Sequence, residues 1–174
     1  MRWIFVDRFV TLEKGRYAKA IKNVSMGEEH LHDHFPSYPV MPNSLIIEAL
    51  AQTGGLLAGH STDFKEKVIL GKIEKAEFYR MVTPGDQMVL EARILENREE
   101  GCKVAGLVSV NGERVAEAVL MFVNLSSNQA KGWQAENFVF TKEFLALLGV
   151  TRLNGSWHVN GARTKPLNEG KPAL

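Results

Sequence analysis

Apolar and polar residues alternate along most of this chain, and one long apolar block interrupts the alternation. Trp3 to Thr11 and Tyr17 to Val24 carry β-branched and aromatic residues on either side of Lys14-Gly15, which predicts a first hairpin. Val68 to Tyr79, Gln87 to Leu95, Val104 to Val110 and Arg114 to Leu125 show the same strand-like character. Asn111-Gly112 between the last two is the dipeptide of a type I′ turn, so they form a second hairpin. The block from Ser44 to Gly59 is apolar almost all round, which is the pattern of a helix buried on every side. Asn43 or Ser44 stands where a side chain can cap its first amides.

The connections are as informative as the elements. Between Met26 and Asn43 lie Pro36, Pro39 and Pro42, each removing a backbone donor and turning the preceding residue away from helix. A long shaped loop therefore leads into the apolar helix. His60 to Lys67 is a polar connection out of it. Past Leu125 the chain is polar from Ser126 to Glu136, then forms a short amphipathic helix over Thr141 to Leu148 ending at Gly149, and is rich in breakers from Asn160 to Leu174. Two strands, one buried helix and about four further strands predict an α+β layer in which an antiparallel sheet wraps on one helix. Residues 1–125 make the domain, and residues 126–174 read as a C-terminal extension.

Composition narrows the function classes. The chain has 174 residues, 45% hydrophobic and 24% charged, which suits one globular core. A formal net charge of +1 with interspersed signs gives no footprint for nucleic acid. The opening MRWIFVDRF leaves no room for a signal-peptide core and no spanning segment follows, so a cytoplasmic protein with no membrane span is expected. Cys102 is the single cysteine, which excludes an internal disulfide and a cysteine metal cluster.

Glu48 is the unusual residue, because a carboxyl buried among apolar side chains must be neutral or paired. Gln52, one helical turn on and on the same face, is a natural hydrogen-bond partner. Both a structural network and a functional site meet that requirement. His34 begins the proline-rich segment that ends at the helix N-terminus, where unpaired amides and a partial positive charge suit a developing oxyanion. His30, His32, Asp33 and His34 also invite a metal reading, although their spacing falls one residue short of the HxHxDH zinc-hydrolase motif. His60 and His158 have no clear ligand context.

The run HFPSYPVMPNSLIIEALAQ, residues 34–52, resembles the signature of bacterial 3-hydroxyacyl-acyl carrier protein dehydratases, HFPGxPVMPG followed by a helix bearing an acid and a glutamine. WIFVDRF, AIKNVS and EFYRMVTPGDQMVLEARI are similar to the family's other strands, so the resemblance runs from about residue 3 to residue 125. Ser37 and Asn43 stand where the family has glycine, and Asp33 replaces the small residue before the histidine. The resemblance implies a hot-dog fold working as a homodimer or a dimer-based oligomer, with each site built from the histidine of one subunit and the acid of the other. It implies catalytic roles for His34 and Glu48, the non-isomerising branch because the acid is glutamate, and an orienting role for Gln52. The Val40 carbonyl would fix the His34 tautomer, and the Asn43 amide, beside Ser44, would hold the thioester carbonyl.

The implied reaction is dehydration of a 3-hydroxyacyl thioester, carried on acyl carrier protein, to the trans-2-enoyl thioester. Neutral His34 would take the C2 proton and a Glu48 kept protonated by its apolar helix would protonate the departing hydroxyl, with no metal or organic cofactor. The rival readings are a hot-dog thioesterase, a dehydratase of coenzyme A thioesters, and a non-catalytic acyl-binding or scaffold module. Lys65, Lys67, Lys72, Lys75 and Arg80 form either a carrier-protein contact or a solvated face.

Overall fold

A computed structural model describes residues 3–125 and 141–150. The segments Ser126–Glu136 and Asn160–Leu174 and the side chain of His158 lie outside the described residues. Six strands form one antiparallel sheet: β1 (Arg8–Glu13), β2 (Tyr17–Asn23), β3 (Lys67–Phe78), β4 (Gln87–Arg98), β5 (Gly101–Val110) and β6 (Glu113–Leu125). Their order across the sheet is β1-β2-β4-β5-β6-β3. Helix α1 (Asn43–Ser61) lies on the inner face, giving the wrapped α+β layout expected of a hot-dog fold.

Alternation fixes which face meets the helix. Along β5, Cys102, Val104, Val108 and Val110 are buried while Lys103, Ala105, Leu107 and Ser109 face outward. Asn111 and Gly112 both take positive φ, 51° and 82°, as the type I′ turn requires. Gly54 and Gly55 interrupt a helix at a propensity cost of about 1 kcal/mol each. They are there because the sheet comes close: a Cβ on Gly54 would lie 3.2 Å from both Phe122 and Val104.

The first strand begins five residues later than the alternation suggests, at Arg8. Trp3 and Phe5 are extended but unpaired in the sheet, because their backbone groups bond the Gln52 side chain instead. Helix α1 starts one residue earlier than expected and no side chain caps it; Pro42 occupies the cap position with φ −57° and ψ 134°. The Pro42 carbonyl accepts from the Leu45 and Ile46 amides. Asn43 and Ser44 are therefore not caps.

The loop ahead of α1 is anchored from below. Lys22, 5% exposed on β2, pairs with Glu28 at 2.9 Å, and the other Glu28 oxygen accepts the Ser25 amide. A short 3-10 helix, Glu29–Leu31, follows, and His30 places its ring edge against Phe5 with Nε2 3.2 Å from the Met41 sulfur. The second short helix, α2 (Lys142–Leu147), returns to the core. Thr141 caps it by accepting the Phe144 amide, Gly149 ends it at φ 74°, and Leu145, Leu148 and Val150 are buried.

Two expectations follow. A Cβ at Gly101 would sit 2.0 Å from the Phe122 carbonyl oxygen, whereas one at Gly112 meets nothing within 4 Å. Gly101→Ala should cost about 3 kcal/mol in urea unfolding, and Gly112→Ala only about 1 kcal/mol, from its positive φ. Burial holds the His30 imidazole below its ordinary value of 6.5, with Lys22 and His34 adding to the effect and Glu28 opposing it. A histidine kept neutral by the fold binds its proton more readily in the unfolded chain, so stability is present above about pH 6.5 and falls as pH drops below it. His30→Gln should flatten that fall in urea unfolding at stepped pH. His60, also lowered by burial, leaves a residual slope.

Candidate active site

The proline-rich segment builds a tight loop. Tyr38 donates its amide to the Phe35 carbonyl at 3.0 Å across Pro36-Ser37, and the Val40 amide donates to the His34 carbonyl at 2.9 Å. This closure brings the His34 ring to the Val40 carbonyl oxygen, 2.9 Å from Nδ1. A carbonyl only accepts, so Nδ1 carries the proton and Nε2 of the neutral ring presents a lone pair. Phe35, itself exposed, stacks on the imidazole at 4.3 Å. The ring is fixed by packing on one side and a hydrogen bond on the other.

The loop runs through Met41, whose amide donates to the Val82 carbonyl, and delivers the chain into α1. Since Pro42 offers no side-chain cap, the amides of Asn43 and Ser44 stay outside any cap, and both residues are exposed. Asn43 is helical and has no positive φ, and Ser37 sits in its turn without positive φ. Neither position uses the conformational freedom of glycine.

Glu48 stands on the one open stripe of α1 and is half-buried, where the all-apolar helix predicts full burial. The helix leaves that stripe uncovered in a single chain. Gln52 Nε2 donates to Glu48 Oε1 at 2.8 Å and to the Trp3 carbonyl at 2.8 Å, while its Oε1 accepts the Phe5 amide at 2.8 Å. These partners fix which end of the amide faces the carboxyl. A cavity of about 290 Å³ opens beside them, lined by Trp3, Glu48, Ala51, Gln52, Gly55, Val68, Leu70, Phe122 and Phe144. Trp3 and Phe144 carry no motif, and only the amphipathic pattern around Phe144 hinted at a buried face.

His34 and Glu48 are each positioned, His34 by the Val40 carbonyl and Glu48 by Gln52; among the described residues no hydrogen bond or ion pair joins the two, and His34 does not line the cavity beside Glu48. Among the described residues no group of three or more His, Cys, Asp or Glu could hold a metal ion. His30 is instead engaged with Met41 and Phe5, and His32 is exposed. Three of the five basic residues are already engaged: Lys67 is buried, Lys75 is paired with Glu77 and Glu117, and Arg80 with Asp86 and Glu113. No helix of the described residues is long and apolar enough to cross a membrane.

Comparison with known proteins places the chain in a family. Residues 2–119 match the FabA-like domain model. The 3-hydroxyacyl-acyl-carrier-protein dehydratase FabZ of Listeria monocytogenes is 44% identical over 121 residues, covering 69% of this chain and 84% of the relative. That of Geobacillus thermodenitrificans is 43% identical over 121 residues, covering 69% and 83%. Among solved structures, an uncharacterised protein from Pyrococcus horikoshii aligns with TM-score 0.57 and 19% identity over 73% of this chain and 88% of that one. A Streptococcus mutans protein bound to acetyl CoA aligns with TM-score 0.59 and 16% identity over 72% and 94%; at such identities these two show the fold alone. With a six-stranded sheet on a central helix, a matched domain over residues 2–119 and relatives above 40% identity, the chain belongs to the 3-hydroxyacyl-acyl-carrier-protein dehydratase family.

Proposed function

We propose that this protein dehydrates 3-hydroxyacyl thioesters carried on acyl carrier protein, giving the trans-2-enoyl thioester in acyl-chain synthesis. The observation that carries the reading is the bond between His34 Nδ1 and the Val40 carbonyl, which leaves Nε2 as a base on a loop ending at an uncapped helix N-terminus. Nε2 takes the C2 proton, the C2–C3 double bond forms, and the C3–oxygen bond breaks as Glu48 protonates the departing hydroxyl to water. Charge that gathers on the thioester oxygen meets the amides of Asn43 and Ser44, and one such donor contributes about 3 kcal/mol. The proton returns from His34 to Glu48 before the next turnover. Gln52 acts by holding the Glu48 carboxyl. The groups named complete the cycle without a cofactor.

The working unit in this reading is a homodimer, with His34 of one subunit facing Glu48 of the partner subunit. Two observations support it. Strand β3 is the 12-residue end strand of the sheet, and Gly71 to Glu77 are all exposed, so its free edge offers a long unpaired ladder. Phe35, Tyr38, Tyr79 and Met81 are also exposed, and the Met41–Val82 bond ties their two segments together. Residues 1–125 are taken as the catalytic domain and 126–174 as an extension that shares its core through residues 141–150. A cytoplasmic site of action is part of the proposal and accords with a single buried cysteine.

His34→Ala and Glu48→Gln should each lower kcat roughly 10³-fold on a 3-hydroxyacyl carrier-protein thioester while the urea midpoint barely moves. Equal turnover by all three proteins would sink the assignment. Unfolding and refolding the two inactive variants together should restore about a quarter of wild-type activity, because only mixed dimers carry one intact pair. No recovery would mean that the pair forms within one chain. Gln52→Leu should lower kcat and also destabilise by about 2 kcal/mol, since it strands the Phe5 amide and the Trp3 carbonyl.

A further inference from the structure

The cavity beside Glu48 is polar at one end and apolar elsewhere. Glu48 and Gln52 form the polar end, and Val68, Leu70 and Phe122 make most of the apolar wall. The last wall comes from outside the matched domain: Phe144 belongs to α2, beyond the residues 2–119 that the family model covers. Helix α2 is held there by more than Phe144. Leu145, Leu148 and Val150 are buried in the same core, and the Leu148 carbonyl accepts the β1 amide of Phe9 at 3.0 Å. Phe144 itself is partly buried: it packs against the core and also lines the cavity.

We infer that α2 is a specificity wall, in which Phe144 closes the apolar end of the Glu48 cavity and sets the length of acyl chain the protein accepts. The inference rests on the dehydratase reading for the identity of the occupant, an acyl chain whose reacting end lies at Glu48. In one chain the cavity measures about 290 Å³ and is open on the side that the partner subunit covers in the proposed dimer. The Phe122 side of the cavity is closely packed. A Cβ on Gly55 would lie 3.2 Å from Phe122, which shows how closely that ring already abuts α1. The proposed limit on length is Phe144, whose ring comes from a separate short helix. Phe144 does not touch the reacting atoms and is a specificity residue, not a catalytic one.

The test uses the full chain and two variants, Phe144→Ala and Phe144→Trp, with a ladder of 3-hydroxyacyl pantetheine thioesters of increasing length. Turnover is read as kcat/KM, and binding of the matching saturated acyl pantetheines is read by calorimetry. In Phe144→Ala the ratio of long-chain to short-chain kcat/KM should rise about ten-fold, and in Phe144→Trp it should fall below the wild-type ratio. The calorimetric affinities should move the same way. Turnover with one unchanged length profile in all three proteins overturns the wall and leaves the dehydratase reading standing. Binding profiles that shift without dehydration by any of the proteins keep the wall and remove the dehydratase reading. Neither turnover nor length-dependent binding in any of them overturns both. Circular dichroism and the urea midpoint confirm that each variant is folded, and Phe144→Trp, which fills the same place, reports even where Phe144→Ala loosens α2.

Discussion

The side-chain amide of Gln52 is the joint around which this fold is arranged. Helix α1 must bury nearly all its surface, yet it carries a carboxyl, and an unpaired polar group at such a place costs roughly 1–3 kcal/mol or more. Gln52 donates to Glu48, donates to the Trp3 carbonyl and accepts the Phe5 amide, all at 2.8 Å. One side chain thus satisfies a carboxyl oxygen and two backbone groups of a segment that has no strand partner. This is also why β1 begins only at Arg8: Trp3 and Phe5 are held to the helix, and the chain reaches β2 only at Asp7, whose amide donates to the Ile21 carbonyl at 2.9 Å. The N-terminal segment, the carboxyl and the cavity wall are consequently one mechanical unit.

Much of this was legible in the residues, for reasons that differ between elements. The sheet was read from alternation because one face is buried, and Asn111-Gly112 declared its turn because both positions need positive φ. Helix α1 was read from its continuous apolar surface, but its first residue was not, since proline at the cap position provides no side-chain signal. Strand character at Trp3 to Asp7 was misread, because composition reports that a segment is extended and apolar, not what its amides bond to. His34 and Glu48 emerged through different routes: the carboxyl through electrostatics, the histidine through the resemblance of its loop. Phe144 could not be tied to the site at all, because 96 residues separate it from Glu48 and no local pattern encodes that contact.

Ser37 and Asn43, the two departures from the family's glycines, are absorbed by the backbone. With Pro36 setting the second turn position, Ser37 takes the third without positive φ, which a type I turn permits to most residues. Asn43 is the first residue of α1 and needs only helical angles. Glycine at these places would add freedom that this chain does not use. What the two side chains do alter is the rim around the amides, since both residues are exposed. The main-chain donors remain whatever side chain they carry, so the departures bear on what approaches the helix N-terminus more than on the oxyanion role proposed for its amides.

Glu48 is half-open in one chain and bonds Gln52, while His34 bonds the Val40 carbonyl of its own loop. In the proposed dimer the same stripe of α1 is covered by the partner, which removes water from the carboxyl and brings an imidazole to it in one event. Electrostatic interactions strengthen as water leaves, because the effective dielectric falls. Assembly would then do more than bring two groups together: it would create the dry volume in which a neutral base and a protonated acid can act on one substrate. A chain that kept its own histidine beside its own acid would need a second cover for the helix. In the proposed dimer the cover, the base and the loop that fixes its tautomer come as one piece, and the open stripe on α1 is where that piece would be received.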